Sequence, residues 1–265
     1  MALAADTSGE DSLLSVDTNG PIGRIALARP GKRNALNDDL IAQLHIAFIN
    51  MPEHVRVVIL TGEGEHFCSG LDLSELRQRS VADGIVHSRS WHAAFEQIQF
   101  GKVPVVAVLH GAVVGGGLEL ASACHIRIAE HTAFYGLPEG QRGLFVGGGG
   151  SLRISRLNGV ARMSDMMLTG RVYDAQEGLA AGLSQYLVPE GGGLAKAEEL
   201  ATRIAANAPL SNYAVLQALP RIADQSQSEG LFTESLMAAI AQGDIDAKAR
   251  LEAFLQGRAA KVGKP

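Results

Sequence analysis

Two carboxylates and a glycine triplet are the residues of this chain best suited to chemistry. Gly115-Gly116-Gly117 runs directly into Leu118-Glu119-Leu120-Ala121, and Glu139 follows twenty residues after Glu119 in Pro138-Glu139-Gly140. Three glycines ahead of a helix let backbone approach a ligand closely and leave N–H groups without intrahelical acceptors. Such an end attracts developing negative charge. With two carboxylates nearby in sequence, it is equipment for moving protons around a polarised carbonyl. Each feature alone has a plain structural role. A glycine triplet packs tightly, a first-turn glutamate complements the helix dipole, and a glutamate after proline sits in a solvated turn.

The elements that must position these residues follow from periodicity. Residues 103–109 are a β-branched run that predicts a buried strand leading into the triplet. Upstream, residues 14–17 and 22–28 flank Thr18-Asn19-Gly20-Pro21 as a hairpin, and residues 29–37 form a polar loop with three cationic side chains. Asn37, Asp38 and Asp39 start a helix with Leu40, Ile41, Leu44, Ala47 and Phe48 on its apolar face. Residues 55–60 read as the next buried strand. Gly70-Leu71-Asp72-Leu73 then reads as a helix start that echoes Gly117-Leu118-Glu119-Leu120, which hints at a repeated strand–helix unit. Two such starts side by side could offer two N–H groups to one oxygen. Residues 81–100 predict a helix anchored by Ile85, Trp91, Phe95 and Ile98. Helices follow at 151–157 and 160–168, Asp174 caps a short one, and residues 184–188 read as the last strand. From residue 194 the pattern is helical, at 194–207, 211–223, 229–242 and 244–257. The fold class is therefore α/β, with a core domain over 13–193 and a helical region over 194–258.

Composition bounds the function. The 265 residues carry a net charge of −5, which argues against general nucleic-acid binding. Residues 1–12 read as disordered and carry no basic, apolar leader, and no run approaches a membrane span, so a cytoplasmic location is expected. The two cysteines, Cys68 and Cys124, cannot build a disulfide framework and suit a reducing compartment. His87 and His92 are five apart, off the spacing of a helical metal pair, and residues 125–131 lack the zinc-protease patterns, so no metal site is expected. The locally basic segment 243–265 reads as a solvated helix face or an anion-binding tail.

Taken in order, these stretches resemble the crotonase superfamily, the enoyl-CoA hydratase/isomerase fold. The resemblance rests on Arg29-Pro30 with residues 33–37, on residues 67–72, on His110-Gly111 through Ala121, and on Pro138-Glu139-Gly140. Later come residues 159–162 and 168–171, then Ala175 with 177–180, so that it spans roughly residues 13 to 258. Within the family, residues 135–140, 143–147 through Met166-Met167, 207–210 and 215–220 resemble the methylthioacryloyl-CoA hydratases.

The resemblance implies a spiral of ββα units with a C-terminal helical trimerisation region, a homo-oligomer (trimer or dimer of trimers), and an acyl-CoA thioester as substrate. Coenzyme A would be part of that substrate, and no separate cofactor is implied. The catalytic pair falls on Glu119 and Glu139, and the thioester oxygen would lie between the backbone N–H groups of Leu71 and Gly116. Lys32, Arg33 and Ala35 fall at the CoA-binding loop. Phe67, Trp91, Leu144 and Phe145 are candidates for the acyl pocket. Many hydratases carry a proline in the loop after Glu139, whereas this chain has Gly143-Leu144-Phe145-Val146 and four glycines, a departure from the usual fatty-enoyl pattern.

Other readings compete. A dinucleotide-binding oxidoreductase would use the strand, Gly115-x-Gly117 and the following helix, but its third glycine position is Leu120 and Glu119 would meet the pyrophosphate with like charge. An RNA-binding member of the same fold is opposed by the net acidity. General enoyl-CoA hydration and double-bond isomerisation remain as enzymatic alternatives.

Overall fold

The computed structural model describes residues 12–75 and 80–258. Residues 1–11, most of the stretch read as disordered, lie outside the described residues, as do Lys261 and Lys264 of the basic tail. The hairpin forms as the turn chemistry predicts: β1 (Leu14–Asp17) runs antiparallel to β2 (Ile22–Leu27), with Leu14 opposite Leu27. Asn37 caps α1 (Asp38–Ile49) by accepting the Leu40 N–H at 3.0 Å, and Leu40, Ile41, Leu44 and Phe48 form its buried stripe. Next come β3 (Val57–Gly62) and α2 (Val81–Gln99), the latter opened by a capping box between Ser80 and Asp83. The central stretch gives β4 (Val105–Leu109), β5 (Ala112–Val114) and α3 (Gly116–Ala123), then β6 (Ile126–Glu130) and β7 (Phe134–Gly136). After these lie α4 (Gly150–Asn158), α5 (Val160–Thr169), β8 (Tyr173–Asp174), α6 (Ala175–Ala180), β9 (Tyr186–Val188) and α7 (Gly193–Ala205).

The strands make a six-stranded sheet in the order β1-β2-β3-β4-β6-β9 and a three-stranded sheet in the order β5-β7-β8. All pairings of the larger sheet beyond the first hairpin are parallel. Parallel strands are covered on both faces, and all five residues of β4 are buried. A long strand in the first sheet, a short one in the second and then a helix recur as β4–β5–α3 and as β6–β7 followed by α4. After β3 the short strand shrinks to a single parallel bridge between Cys68 and Val113. This is the α/β spiral of ββα units expected from the sequence.

Three local expectations need correction. No α-helix begins at residues 70–73. Leu71 is held extended by a parallel bridge to Leu36, and residues 73–75 form a single 3-10 turn. Asp72 is occupied by Arg29 at 2.9 Å and by the Ser74 hydroxyl at 2.6 Å. Ile85 does not anchor α2; it is 61% exposed. The buried stripe is Trp91, Ala94, Phe95 and Ile98, and Ile85 lies six residues before it, about a third of a turn off that face. The helix expected over 211–223 is two, Pro209–Gln217 and Leu219–Ile222, and Pro220 sits in the first turn of the second, where its missing N–H costs nothing.

The chain divides into two compact units between Thr202 and Arg203, inside α7, rather than at the 193/194 change of pattern. Ala197, Leu200 and Ala201 are buried, so the first turns of α7 carry core residues although the strand pattern has ended. The second unit holds α8 (Pro209–Gln217), α9 (Leu219–Ile222), α10 (Gln227–Gly243) and α11 (Ile245–Leu255).

One buried amide ties together the two loops on which Leu71 depends. Asn34 has φ +54° and is fully buried. Its Oδ1 accepts the Arg29 N–H at 2.9 Å, and its Nδ2 donates to the carbonyls of Glu63 at 2.9 Å and His66 at 2.7 Å. Alanine would leave those backbone groups unpaired and tolerate the left-handed backbone poorly. Asn34→Ala is expected to lower unfolding free energy by about 2–4 kcal/mol in urea titrations. A loss below about 0.5 kcal/mol would show that the loops hold without it.

Candidate active site

Between α2, the start of α3, the turn at 138–142 and a glycine-rich strap at 143–150 lies a cavity of about 370 Å³. Leu71, Trp91, Gly116, Glu119, Glu139, Leu144 and Phe145 all line it. Phe67 does not. It is fully buried in the hydrophobic core, its N–H bonded to the His110 carbonyl at 2.8 Å, so the acyl-pocket expectation fails for this residue. Lys32 and Arg33 are exposed, Ala35 is buried with its carbonyl taken by Arg29, and none of the three lines the cavity.

Each glycine of the triplet makes room for a different neighbour. Gly115 has φ +54°, and a Cβ there would come within 2.6 Å of Glu139 Oε1. At Gly116 a Cβ would meet Trp91 Cζ3 at 2.8 Å, and at Gly117 it would collide with the Cys68 carbonyl. The sequence Gly-Gly-Gly is thus three separate steric requirements, and the first admits a carboxylate.

The segments that carry Leu71 and Gly116, the two backbone donors expected above, lie against each other. Gly116 is the first residue of α3, where N–H groups have no intrahelical acceptor. Leu71 is bridged to Leu36 through its neighbours, with the Leu36 N–H donating to the Gly70 carbonyl and the Asp72 N–H to the Leu36 carbonyl. Its own N–H therefore faces away from that bridge. Gly70, at φ +96°, brings the two segments together: a Cβ there would lie 3.3 Å from Gly116 N.

Glu119 is buried, and its Oε1 accepts the N–H groups of Gly148 and Gly150, both at 2.8 Å. A Cβ at Gly150 would lie 2.7 Å from Glu119 Cγ, and one at Gly148 would press on Phe95 at 3.0 Å and on Glu119 Cδ at 3.3 Å. Arg153 secures the strap, donating to the Gly148 carbonyl at 2.8 Å and to Gln99 Oε1 at 2.6 Å. Glu139 is half-buried, and its Oε2 is shielded from solvent without a hydrogen-bond partner. A buried carboxylate oxygen without a partner favours the protonated form of its group. Burial pushes the Glu119 carboxyl above the usual carboxylate range, against the pull of the Gly150 and Gly148 amides and Arg153. Burial also raises Glu139, the charge on Glu119 adds to the rise, and Arg142 opposes it.

Other groups at the cavity escaped the sequence reading. His87 lines the wall, bonded through Nε2 to Asp38 Oδ1 at 2.8 Å and tilted over Trp91. Ser88, Gly148, Gly150 and Arg153 emerge as supports for Glu119. Only the run of four glycines signalled them, because a main-chain grip leaves no side-chain pattern. Cys68 donates nothing to the cavity: burial pushes its thiol up to about 12, which leaves it protonated. Among the described residues no group of three His, Cys, Asp or Glu side chains is placed to hold a metal ion, and no helix is long and apolar enough to cross a membrane. The dinucleotide reading loses its geometry, since β5, in the second sheet, separates β4 from α3.

Comparison with known proteins points to one family. The family described as enoyl-CoA hydratase/isomerase matches residues 17–263. A probable enoyl-CoA hydratase of Mycobacterium bovis is 32% identical over 92% of this chain and 95% of its own. The short-chain-enoyl-CoA hydratase of Clostridium acetobutylicum is 33% identical over 78% of this chain and 80% of its own. Among solved structures, a Rhodopseudomonas palustris protein named as an enoyl-CoA hydratase is 58% identical, with a TM-score of 0.90 over 94% of this chain and 97% of its own.

The raised carboxyls make stability depend on pH in a defined direction. A carboxyl whose folded pKa exceeds its unfolded value binds its proton more tightly in the folded state. Its stabilising contribution is complete below the unfolded pKa and is lost as pH rises through the folded pKa. Glu139→Gln removes one such loss. Its melting temperature relative to the parent protein should therefore climb between about pH 4 and about pH 8, as read by calorimetry. A difference that stays flat across that range would contradict the raised carboxyl.

Proposed function

This chain belongs to the enoyl-CoA hydratase/isomerase family, the crotonase superfamily, and from that premise we propose that it adds water across the α,β double bond of a CoA thioester. The observation that carries the proposal is the facing of Glu119 and Glu139 onto one cavity at the N-terminus of α3. Attack of water at the β-carbon drives negative charge onto the thioester oxygen. Two preorganised N–H donors, those of Leu71 and Gly116, would hold that oxygen, each worth about 3 kcal/mol by the cost of deleting such donors elsewhere. The water needs a carboxylate to orient and deprotonate it, and the α-carbon needs a proton. Glu119 and Glu139 hold the water between them, with Glu139 the principal acid–base group. Positioned acid–base groups contribute roughly 10²–10⁴-fold. An isomerisation, which shifts a proton along the chain without water, has less need of a second carboxylate.

For the acyl group we propose methylthioacryloyl, supported by the resemblance of residues 135–140 and 143–147 and by a strap of Leu144 and Phe145 over a modest cavity. Hydration at the β-carbon then yields a hemithioacetal. Its C–S bond breaks as the hydroxyl becomes an aldehyde, and methanethiol leaves with the proton. A second water could cleave the thioester in the same site. General enoyl-CoA hydration on short chains is the alternative, in keeping with the name of the Clostridium relative. Lys32, Arg33 and Ala35 are proposed to meet the CoA moiety outside the cavity, with no separate cofactor. A homo-oligomer, trimer or dimer of trimers, fits the exposed Leu231, Phe232, Leu236 and Ile240 of α10, and a cytoplasmic location is proposed with it.

The test is a panel of methylthioacryloyl-CoA, crotonyl-CoA and longer 2-enoyl-CoA thioesters, with free thiol and free CoA measured as products. The highest kcat/KM is expected for the methylthio substrate, with thiol release. Faster crotonyl-CoA turnover without thiol would favour the general hydratase. Glu119→Gln and Glu139→Gln should each cut kcat by about 10²–10⁴-fold while a saturated acyl-CoA binds as before. Near-parental rates in either variant would refute the assignment.

A further inference from the structure

Ser88 on α2 is outside the pair of carboxylates and carries no charge, yet it is joined to Glu119 through a single peptide unit. Its hydroxyl donates to the Gly147 carbonyl at 2.6 Å. The N–H of that same peptide plane, Gly148 N, donates to Glu119 Oε1 at 2.8 Å. On the other side of Ser88, His92 Nε2 lies 3.4 Å from the hydroxyl, one helical turn along α2. The next peptide is fastened separately, by Arg153 on the Gly148 carbonyl at 2.8 Å.

A peptide between two glycines has little to stop it rotating. Neither residue has a Cβ to block the flipped orientation, and glycine populates both halves of the backbone map with similar ease. In the flipped state the carbonyl would point at Glu119 and the N–H away from it. A hydrogen bond to the carbonyl end resists that rotation, and hydrogen bonds in series polarise and strengthen one another. We propose that Ser88 is a positioning residue for the hydration reaction, locking the Gly147–Gly148 peptide so that its N–H fixes the carboxylate of Glu119 toward the water. The role rests on the hydratase reading above and adds to it a residue of the cavity wall whose hydroxyl donates to a strap carbonyl.

The chemistry of the link sets the test. Ser88→Ala removes the hydroxyl from a half-buried helix position where alanine is the better helix former, so folding survives. Misplacing a catalytic group slows the chemical step and leaves binding almost intact. For Ser88→Ala, kcat should fall about 10–100-fold with KM changed less than about threefold, and by the same factor on crotonyl-CoA and on a longer enoyl-CoA. Ser88→Thr, which keeps the hydroxyl, should recover most of the rate. Melting temperatures measured alongside establish that both variants are folded.

Ser88→Ala rates within about twofold of the parent would overturn the proposal. So would a KM effect at constant kcat, or a loss that depends on acyl length, because either marks direct contact with substrate. A folded Ser88→Thr protein as slow as Ser88→Ala would overturn it too. A parent protein without hydratase activity on any enoyl-CoA would instead be the failure of the hydratase reading.

Discussion

Removing a carboxylate from water is among the costlier things a fold can do, and among the described residues Glu119 is the most deeply buried one. The compensation comes from main-chain amides, two of them on one oxygen. Much of the local sequence follows from that choice. An amide can approach a carboxylate only if its own residue and its neighbours clear the space, which is why Gly148 and Gly150 lack side chains. Gly150 is also the first residue of α4, so its N–H is one of the orphan donors of a helix start and brings the favourable end of the helix dipole. Glu119 thus rises from the first turn of α3 and ends at the first turn of α4.

The second carboxylate depends on the first glycine of the triplet. Gly115 takes a positive φ that turns the chain from β5 into α3, and its missing side chain leaves the space that Glu139 Oε1 fills. The same turn presents the Gly116 N–H at the helix entrance. One residue therefore sets both the seat of Glu139 and the direction of the Gly116 N–H, and any side chain at 115 would disturb the two together. The remaining donor, Leu71, is placed from a distance by Asn34 and by the bridge to Leu36, so the loop at 29–37 matters to the site even though none of Lys32, Arg33 and Ala35 lines the cavity.

The parts of this arrangement that could be read from the sequence are those in which residue type carries the geometry. The hairpin, the Asn37 cap, the strand into the triplet and the positions of Glu119 and Glu139 all announce themselves through turn chemistry, capping or period. Gly70 to Leu73 misled because Gly-Leu-acid-Leu is compatible with a helix start, and nothing local reveals that Arg29, forty-three residues upstream, claims Asp72. Ile85 misled because an apolar residue near the start of a helix looks like an anchor until the buried stripe is fixed by Trp91. Phe67 lies beside the loop that carries Leu71, yet its side chain turns into the core, a choice that residue type does not encode. The grip on Glu119 was illegible for another reason: its donors are glycine amides, and Ser88 acts on a carbonyl.

The position of Arg153 shows what the site avoids. Its guanidinium lies close enough to lower the Glu119 carboxyl electrostatically, yet it spends its hydrogen bonds on the Gly148 carbonyl and on Gln99. A direct bidentate ion pair would be the stronger interaction and would hold the carboxylate firmly ionised. It would also occupy the oxygens at which Glu119 is proposed to help hold the water. Neutral amides stabilise the ionised form more gently and bind from one side only. Burial then leaves the carboxyl raised rather than depressed. Placing the cation one peptide back keeps the strap fixed without pairing the carboxylate, and a glycine strap suits that separation, because its peptides are held from behind while facing forward.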